Sequence, residues 1–462
     1  MHSERFLILG RIFFLSLERL TRYNIYTATG SIRAMRKLLL ISYDFPPAIT
    51  GVRRILKWIH YLPESGWECA VLTVKPVRTA RRDSSPLLEL KERGVPIFRS
   101  GSLDPYRLAE IFSRRREGDE KPGTHATGKS KSLMDFLRRW VFLPDDRCGW
   151  IPFAVARGFR LIRRLKPDAI LTTSYPQSAH VAGLFLKLLT GVHWVADFRD
   201  AWTQNDEFFR PPTPLHALLQ HALEKWVARR CDLLLAVSEP ISAHFRGLLG
   251  GSGQKVHTLT NGYDNADFAG LTSHPSGKFS LVYTGSLFGE RTPTPFIRAL
   301  NVLLTEHPEW RADFDVRFYS ALDDSSITEI RQAHLEDVIH VDGLCSYRES
   351  LQRQMDAVIL LILIAPGPNA VVMMTQKVFE YLRSERHILA MIPEGACRSL
   401  LQQFEGVEIV HPADIEGIKS RLQDLYLKWK SGSLSVPMRK GIEQYNRRNL
   451  TIELASLLDK IN

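Results

Sequence analysis

Cysteine is scarce in this chain of 462 residues. The five cysteines stand far apart, and no two have the spacing of metal ligands; they are Cys69, Cys148, Cys231, Cys345 and Cys397. A sparse, odd-numbered set argues against a disulfide framework and fits a reducing, cytoplasmic setting. The sequence therefore predicts neither a disulfide scaffold nor a metal centre.

Long apolar runs are also lacking. The run Phe6–Leu17 is broken by Arg11, is too short to span a bilayer and has no small-residue cleavage site. Two interpretations of the extension 1–34 stay open. It is either a basic amphipathic segment lying on a membrane, or an upstream extension of the gene, because Met35 directly precedes a strong strand pattern.

Nucleic-acid-binding signatures are missing, although the formal net charge is +11. Such a charge suggests an anionic partner, which is a nucleic acid, an anionic membrane surface or a phosphate-bearing substrate. No zinc-finger, RNA-binding or helix-turn-helix pattern accompanies it, so we do not expect nucleic acid. The hydrophobic content of 44% suits a folded protein with full cores, and the length favours two domains.

Apolar strand patterns alternate with helical patterns along most of the chain. This alternation predicts right-handed crossovers and an α/β fold with mostly parallel sheets. The pattern occurs as two tandem Rossmann-like series with a cleft between them, the first over 35–268 and the second over 277–432. A mobile polar insertion is predicted at 114–132, and a last helix within 437–462, Arg439–Leu458, is expected to pack across the domain junction.

The stretch Thr375–Pro393 carries the clearest local signal. Thr375 is a candidate N-cap for a helix that places Lys377 and Glu380 on one side. A lysine in the first turn opposes the helix macrodipole unless an anion binds there, and a carboxylate one turn later could accept hydrogen bonds from hydroxyls. Phosphate and sugar hydroxyls would explain both residues; the alternative is an exposed ion pair.

Charged residues lie at the end of the predicted strand His193–Phe198 and directly after it. Asp197, Arg199 and Asp200 are candidates for orienting an acceptor or assisting an attacking hydroxyl, or else form a structural ion pair. His180 opens a helix and faces a cleft or packs in the interior. Gly51 follows Pro46 and Pro47 and would let the backbone approach a ligand at a helix start, although the usual glycine triplet is absent.

The order and spacing of several short stretches resemble the GT-B glycosyltransferases of the retaining family-4 type. No single stretch is specific, but together they cover the chain from about Lys37 to Leu458. They are Asp44–Gly51, Lys166–Ile170, Asp197–Trp202, Val237–Glu239, Asn261–Phe268, Tyr283–Ser286 and Lys377–Leu382.

The resemblance implies a donor site in the C-terminal domain. Glu380 takes the place of the glutamate that binds the nucleotide ribose, and Arg291 and Lys377 would hold the diphosphate without a metal. Several family residues are exchanged. Ser286 stands where an arginine is usual, Arg291 where a lysine is usual, Val372 where a sugar-binding glutamate is usual, and Thr50 where a glycine is usual. The remaining positions that the resemblance assigns to the donor are Gly285, Gly51, Thr375 and Val371, the last through the backbone of 369–372.

The implied function is transfer of a sugar from a nucleoside diphosphate donor to an acceptor hydroxyl with retention. A lipid-linked acceptor or an anionic membrane surface would suit the basic charge, in cell-envelope or extracellular polysaccharide or glycolipid assembly. The expected location is the cytoplasm, with peripheral attachment to the inner face of the plasma membrane as a further option. Two alternatives stay open, an inactive GT-B-like binding or assembly protein, suggested by Val372 and Ser286, and a nucleotide-sugar epimerase.

Overall fold

The computed structural model describes residues 24–26, 32–48, 51–76, 83–105, 107, 140–205, 209–287 and 290–461. The predicted insertion 114–132 and the run Phe6–Leu17 lie outside the described residues. The chain divides into two compact units. The first contains the described residues up to 199 with 211–235 and those from 451 onward, and the second contains 200–210 and 236–450.

Parallel strands form a seven-stranded sheet in the N-terminal part, in the order β5-β4-β3-β6-β7-β8-β9. The order reverses between β3 and β6, which are paired in parallel. Ligands of open α/β sheets bind at such a reversal, at the carboxyl ends of the strands. The strands are β3 (Arg36–Ile41), β4 (Trp67–Val74), β5 (Ile97–Ser100), β6 (Ala169–Thr173), β7 (His193–Phe198), β8 (Leu233–Ala236) and β9 (Val256–Thr258), preceded by the antiparallel pair β1 (Asn24–Tyr26) and β2 (Ile32–Ala34).

The helices of this part connect consecutive parallel strands. Central strands such as β3 and β6 are buried on both faces, which explains why their sequences are apolar without alternation. The helices are α1 (Arg53–Tyr61), α2 (Ser85–Glu92), α3 (Ile151–Leu165), α4 (Ser178–Thr190), α5 (Pro214–Arg230) and α6 (Glu239–Leu249).

A six-stranded sheet organises the second unit, in the order β12-β11-β10-β13-β14-β15, with every neighbouring pair parallel. Its order reverses between β10 and β13. Apolar clusters cover both faces of the sheet. The strands are β10 (Phe279–Thr284), β11 (Phe314–Tyr319), β12 (Ile339–Val341), β13 (Ile359–Leu363), β14 (His387–Met391) and β15 (Val407–Val410).

Helices of the second unit alternate with these strands, and the last helix of the chain follows β15 and a further helix. They are α7 (Thr294–Glu306), α8 (Asp324–Gln332), α9 (Tyr347–Asp356), α10 (Pro368–Val372), α11 (Gln376–Arg383), α12 (Ala396–Leu401), α13 (Ile415–Lys430) and α14 (Arg447–Lys460). The predicted α/β class with mostly parallel sheets is confirmed.

The last helix differs from its prediction. It begins at Arg447 rather than at Arg439, because Gly441 takes a left-handed conformation with φ of +79° and a short 3-10 turn, Ile442–Tyr445, follows. The helix is also divided between the units, since residues up to 450 are counted with the second and those from 451 with the first.

The segment before this helix is attached to the second unit through a close backbone approach. Tyr263 N donates to Tyr445 O at 3.1 Å, and Arg447 N donates to Tyr263 O at 2.8 Å. A Cβ atom at Gly262 would lie only 2.1 Å from Tyr445 O. A residue without a side chain is therefore required at 262.

We expect Gly262→Ala to destabilise the protein by about 1–3 kcal/mol, because the backbone around Tyr445 must move to admit a methyl group. Chemical denaturation measures the effect. The matched control is Gly247→Ala in α6, where no atom lies within 4 Å of the new Cβ. Equal stability of the two variants would contradict the close approach.

Candidate functional site

Glu380 lies on α11 and is buried, with 6% of its surface exposed. Its Oε1 accepts a hydrogen bond from Gln376 Nε2 at 2.7 Å and one from Tyr347 Oη at 3.2 Å. Tyr347 Oη also lies 3.2 Å from Asp267 Oδ2. The carboxylate is therefore held in one orientation by two neutral donors. Because Glu380 is buried, the alternative of an exposed Lys377–Glu380 ion pair is wrong.

Lys377 lies in the first turn of the same helix. Its Nζ is 3.8 Å from the centre of the Tyr283 ring, and it would lie 3.2 Å from a Cβ atom at Gly285. The pKa of Lys377 is lowered to about 7, mainly by burial and also by the charge of Arg291, while the charge of Glu380 opposes the shift. A partly buried ammonium therefore lies at the carboxyl end of β10 with a second cation near it.

The turn after β10 is shaped for this contact. Gly285 has φ of +104°, and the hydroxyl of Tyr283 donates to Ser286 O at 3.3 Å. Tyr381 on α11 also accepts from the backbone N of Thr284 at 2.9 Å, which joins the helix to the strand end. Because Gly285 lacks a side chain, the ammonium can approach the turn directly.

Arg291 follows this turn and lines a cavity of about 150 Å³ beyond the ends of β13 and β14. The cavity wall is mostly apolar and includes Pro295, Ile364, Met391 and Pro412. An arginine at the mouth of an apolar cavity can meet a phosphate while the wall contacts a flat ring.

The segment between α10 and α11 contains the remaining predicted donor positions. Thr375 precedes α11 in an extended conformation and makes no side-chain cap. Val371 is 48% exposed, whereas Val372 is buried. The carbonyl of Val372 accepts from Ser238 Oγ at 2.8 Å, so its hydrogen-bonding capacity is already partly used within the protein.

Asp197 occupies the end of β7 in the first unit. It is fully buried, accepts from Arg54 Nη2 at 2.9 Å and accepts from Thr173 Oγ1 at 2.7 Å. Such a paired carboxylate supports the structural alternative, because removing either partner would leave a buried charge. Arg199 donates through Nη1 to the carbonyl of Gly51, and a Cβ at Gly51 would collide with the guanidinium. The structure thus brings Gly51 and Arg199 together.

The other two predicted N-terminal residues differ in burial. Asp200 is half-buried. His180 has no exposed surface, and its Nδ1 lies 2.8 Å from Thr172 Oγ1 while its ring packs against Phe198. Burial lowers the pKa of His180 to about 3, so the ring is neutral at physiological pH. This environment corrects the cleft-facing interpretation in favour of packing.

A polar cluster that sequence reasoning missed lies near the ends of β3 and β6. Tyr43 Oη donates to Asp104 Oδ2 at 2.7 Å, and the Arg147 guanidinium lies 5.1 Å from the Tyr43 ring centre. Tyr175 Oη donates to Asp146 Oδ1 at 3.1 Å. The consecutive charged residues 145–147 could have indicated a polar site in the sequence. However, they adjoin no predicted strand, so nothing in the sequence pattern indicated that they lie beside Tyr43.

Comparison with known proteins supports the fold. Residues 50–262 match the family model described as Glycosyl transferase 4-like domain. No curated protein sequence matches the chain. A glycosyltransferase structure from Rickettsia africae ESF-5 is 11% identical with a TM-score of 0.60, covering 92% of this chain and 98% of that one.

Two further structures share the architecture. HepE of Anabaena, solved with UDP and glucose, is 12% identical with a TM-score of 0.59, covering 92% of this chain and 99% of its own. A putative UDP-N-acetylglucosamine 2-epimerase from Listeria monocytogenes is 11% identical with a TM-score of 0.54, covering 91% and 95%. The predicted GT-B resemblance is confirmed, and at these identities the structural likeness concerns the fold alone.

We expect Lys377→Met to stabilise the folded protein by about 2 kcal/mol at pH 7. The folded-state pKa is about 7, so between pH 7 and the ordinary lysine range the unfolded chain binds more protons than the folded one. Wild-type stability therefore rises with pH in this window, and the advantage of the variant shrinks toward pH 10. Denaturant titrations at pH 7 and 9.5 measure both. A difference independent of pH would mean that water solvates the ammonium.

Proposed function

We propose that this protein is a glycosyltransferase that moves a hexose-type sugar from a nucleoside diphosphate donor to an acceptor hydroxyl, with retention and without a metal. One observation carries the proposal. The Lys377 ammonium lies beside Gly285 at the end of β10, with Arg291 near enough to lower its pKa, and the oriented carboxylate of Glu380 is one turn away. The family model supports the same class.

The cations of this site would bind the donor diphosphate. A partly desolvated ammonium gains more from an anion than an exposed lysine does, because water screens its charge less. Together with Arg291 it would stabilise the negative charge that develops on the departing diphosphate. This assigns leaving-group stabilisation to protein cations, and unchanged turnover in excess EDTA would support it.

Glu380 would bind the ribose of the nucleotide. Gln376 and Tyr347 contact only Oε1 in the described hydrogen bonds, so the carboxylate is already oriented before a ligand arrives. Preorientation lowers the entropy cost of binding. The apolar cavity beside Arg291 would take the flat base. Val371, Thr375 and the backbone of 369–371 would contact the sugar, with no carboxylate at position 372.

The acceptor would bind the first unit. Tyr43, Arg147 and Tyr175 lie near the order reversal between β3 and β6, and ligands of such sheets bind at a reversal, which supports this assignment. Aromatic rings, carboxylates and an arginine suit a sugar with free hydroxyls. Arg199 and Asp200 would help orient the attacking hydroxyl. We propose a lipid-linked acceptor in cell-envelope or extracellular polysaccharide or glycolipid assembly, at the cytoplasmic face of the membrane.

An epimerase is the second candidate, because a putative epimerase structure shares the architecture over most of both chains. It would convert its nucleotide sugar without an acceptor. Nucleotide release that depends on added acceptor would favour the transferase, whereas a changed sugar with no release would favour the epimerase. A protein that binds nucleotide and does neither would be a binding or assembly factor.

We expect Glu380→Ala to weaken UDP or GDP binding by about tenfold to a hundredfold, the usual value of a hydrogen bond to a charged group. Calorimetry measures it. The matched control is Glu416→Ala in α13, whose carboxylate is 74% exposed and forms a surface ion pair with Lys419. If the wild type bound no nucleoside diphosphate, the proposal would be refuted.

Nucleotide affinity should fall by about tenfold between pH 7 and pH 9. A bound diphosphate favours the charged lysine and raises the pKa of Lys377 from about 7, so binding takes up a proton above that pH. Calorimetry in two buffers of different protonation enthalpy counts this proton. Lys377→Met should bind more weakly at pH 7 and lose the pH dependence. If the affinity of Lys377→Met kept the pH dependence of the wild type, the proton taken up on binding would belong to another group.

A further inference from the structure

An apolar patch covers two neighbouring helices of the first unit. It consists of three side chains on α4 and four on α5, all large and all 39–64% exposed. They are Phe185, Leu188 and Leu189, and Leu215, Leu218, Leu219 and Trp226. Isolated exposed hydrophobic residues are ordinary, but several at helical spacing on adjacent helices mark an interaction surface.

Chain topology explains why the two groups adjoin. Helix α4 connects β6 to β7, and α5 connects β7 to β8, so they are consecutive crossovers between strands that are neighbours in the sheet. The two helices pack against each other, and α4 also packs against α3. The exposed apolar residues of α4 recur at i, i+3 and i+4, and those of α5 at i, i+3, i+4 and i+11.

The charges of α3, α4 and α5 are almost all positive. The three helices contain eight lysines and arginines and a single carboxylate, Glu224, which is 1% exposed. Arg160, Arg163 and Arg164 on α3 and Arg229 and Arg230 on α5 are exposed. Lys187 pairs with Asp232 at 2.8 Å. The apolar patch is thus flanked by exposed arginines.

We propose that α4 and α5 lie against the surface of an anionic lipid bilayer. The apolar side chains would enter the boundary between headgroups and acyl chains, and the arginines would contact lipid phosphates. Trp226 has the amphipathic side chain that is favoured at this depth. No helix within the described residues is long and apolar enough to cross a membrane. The attachment is therefore of the kind that lies on a bilayer.

The patch could contact either a bilayer or a second copy of the chain, and the charge around it favours the bilayer. A two-fold dimer would bring the same surface of both subunits together. The exposed arginines of α3 and α5 would then face one another and repel. An anionic membrane would instead attract them. This argument does not depend on donor chemistry, so it holds or fails separately from the proposed glycosyl transfer.

The experiment is co-sedimentation of the full chain with vesicles of phosphatidylcholine alone or mixed with phosphatidylglycerol. We expect binding to the anionic vesicles at moderate salt. Leu188→Gln with Leu218→Gln should bind about a hundredfold more weakly, since each buried leucine contributes about one factor of ten. Arg163→Gln with Arg164→Gln should lose about tenfold on anionic vesicles only.

The matched control is Leu88→Gln with Leu103→Gln, two leucines of the same unit that are 65% and 56% exposed but lie outside the patch. It should bind like the wild type. Circular dichroism and UDP calorimetry on each variant separate loss of folding or of donor binding from loss of membrane binding. Wild-type chain that stays in the supernatant with anionic vesicles, or patch variants that sediment like the wild type, would overturn the proposal. So would a dimer, seen by light scattering, that the patch variant converts to a monomer.

Discussion

The ammonium of Lys377 is the constraint around which the second unit is arranged. It lies over the ring of Tyr283 and close to Gly285, with the charge of Arg291 near it. Removing an ammonium from water is costly, and a cation–π contact offsets only part of that cost. Several features accommodate it: a glycine at the turn, the tyrosine ring that the ammonium contacts, and a hydrogen bond from the backbone N of Thr284 to Tyr381 that fixes the strand end. A diphosphate is the kind of ligand that would complete the site.

The first unit handles buried charge differently. Asp197 and Arg54 are both buried and satisfy each other, and Thr173 donates to the same carboxylate. This pair is complete without a ligand, which supports a structural role for Asp197 at the end of β7. Arg199, two residues later, is held by the carbonyl of Gly51, which ties the loop after β3 to the loop after β7. Asp197 and Arg199 are candidates for the same role in the sequence. In the structure Asp197 forms a buried ion pair, whereas Arg199 joins two loops.

Both sheets reverse their strand order once, between β3 and β6 and between β10 and β13. The polar cluster of Tyr43, Arg147 and Tyr175 adjoins the first reversal, and Gly285 with Lys377 adjoins the second. The shared placement follows from parallel topology, because at a reversal the neighbouring crossovers leave in opposite directions and leave the strand ends accessible. The apolar surface of α4 and α5 lies on helices of the first unit, and our proposal concerns its contact with an anionic bilayer.

The sequence by itself determined the α/β class, most strands and the helix that contains Lys377 and Glu380, because buried parallel strands are continuous apolar runs and helical spacing is local. It did not show that α5 would expose Leu215 and Leu218, since an apolar helix looks the same whether it meets a core or a membrane. It also left Asp197 and His180 undecided. Only the tertiary structure placed Arg54 against Asp197, enclosed His180, and joined Tyr43 to Arg147 across 104 positions of sequence. These outcomes depend on contacts between distant residues, and local patterns do not encode which partner a charge will meet.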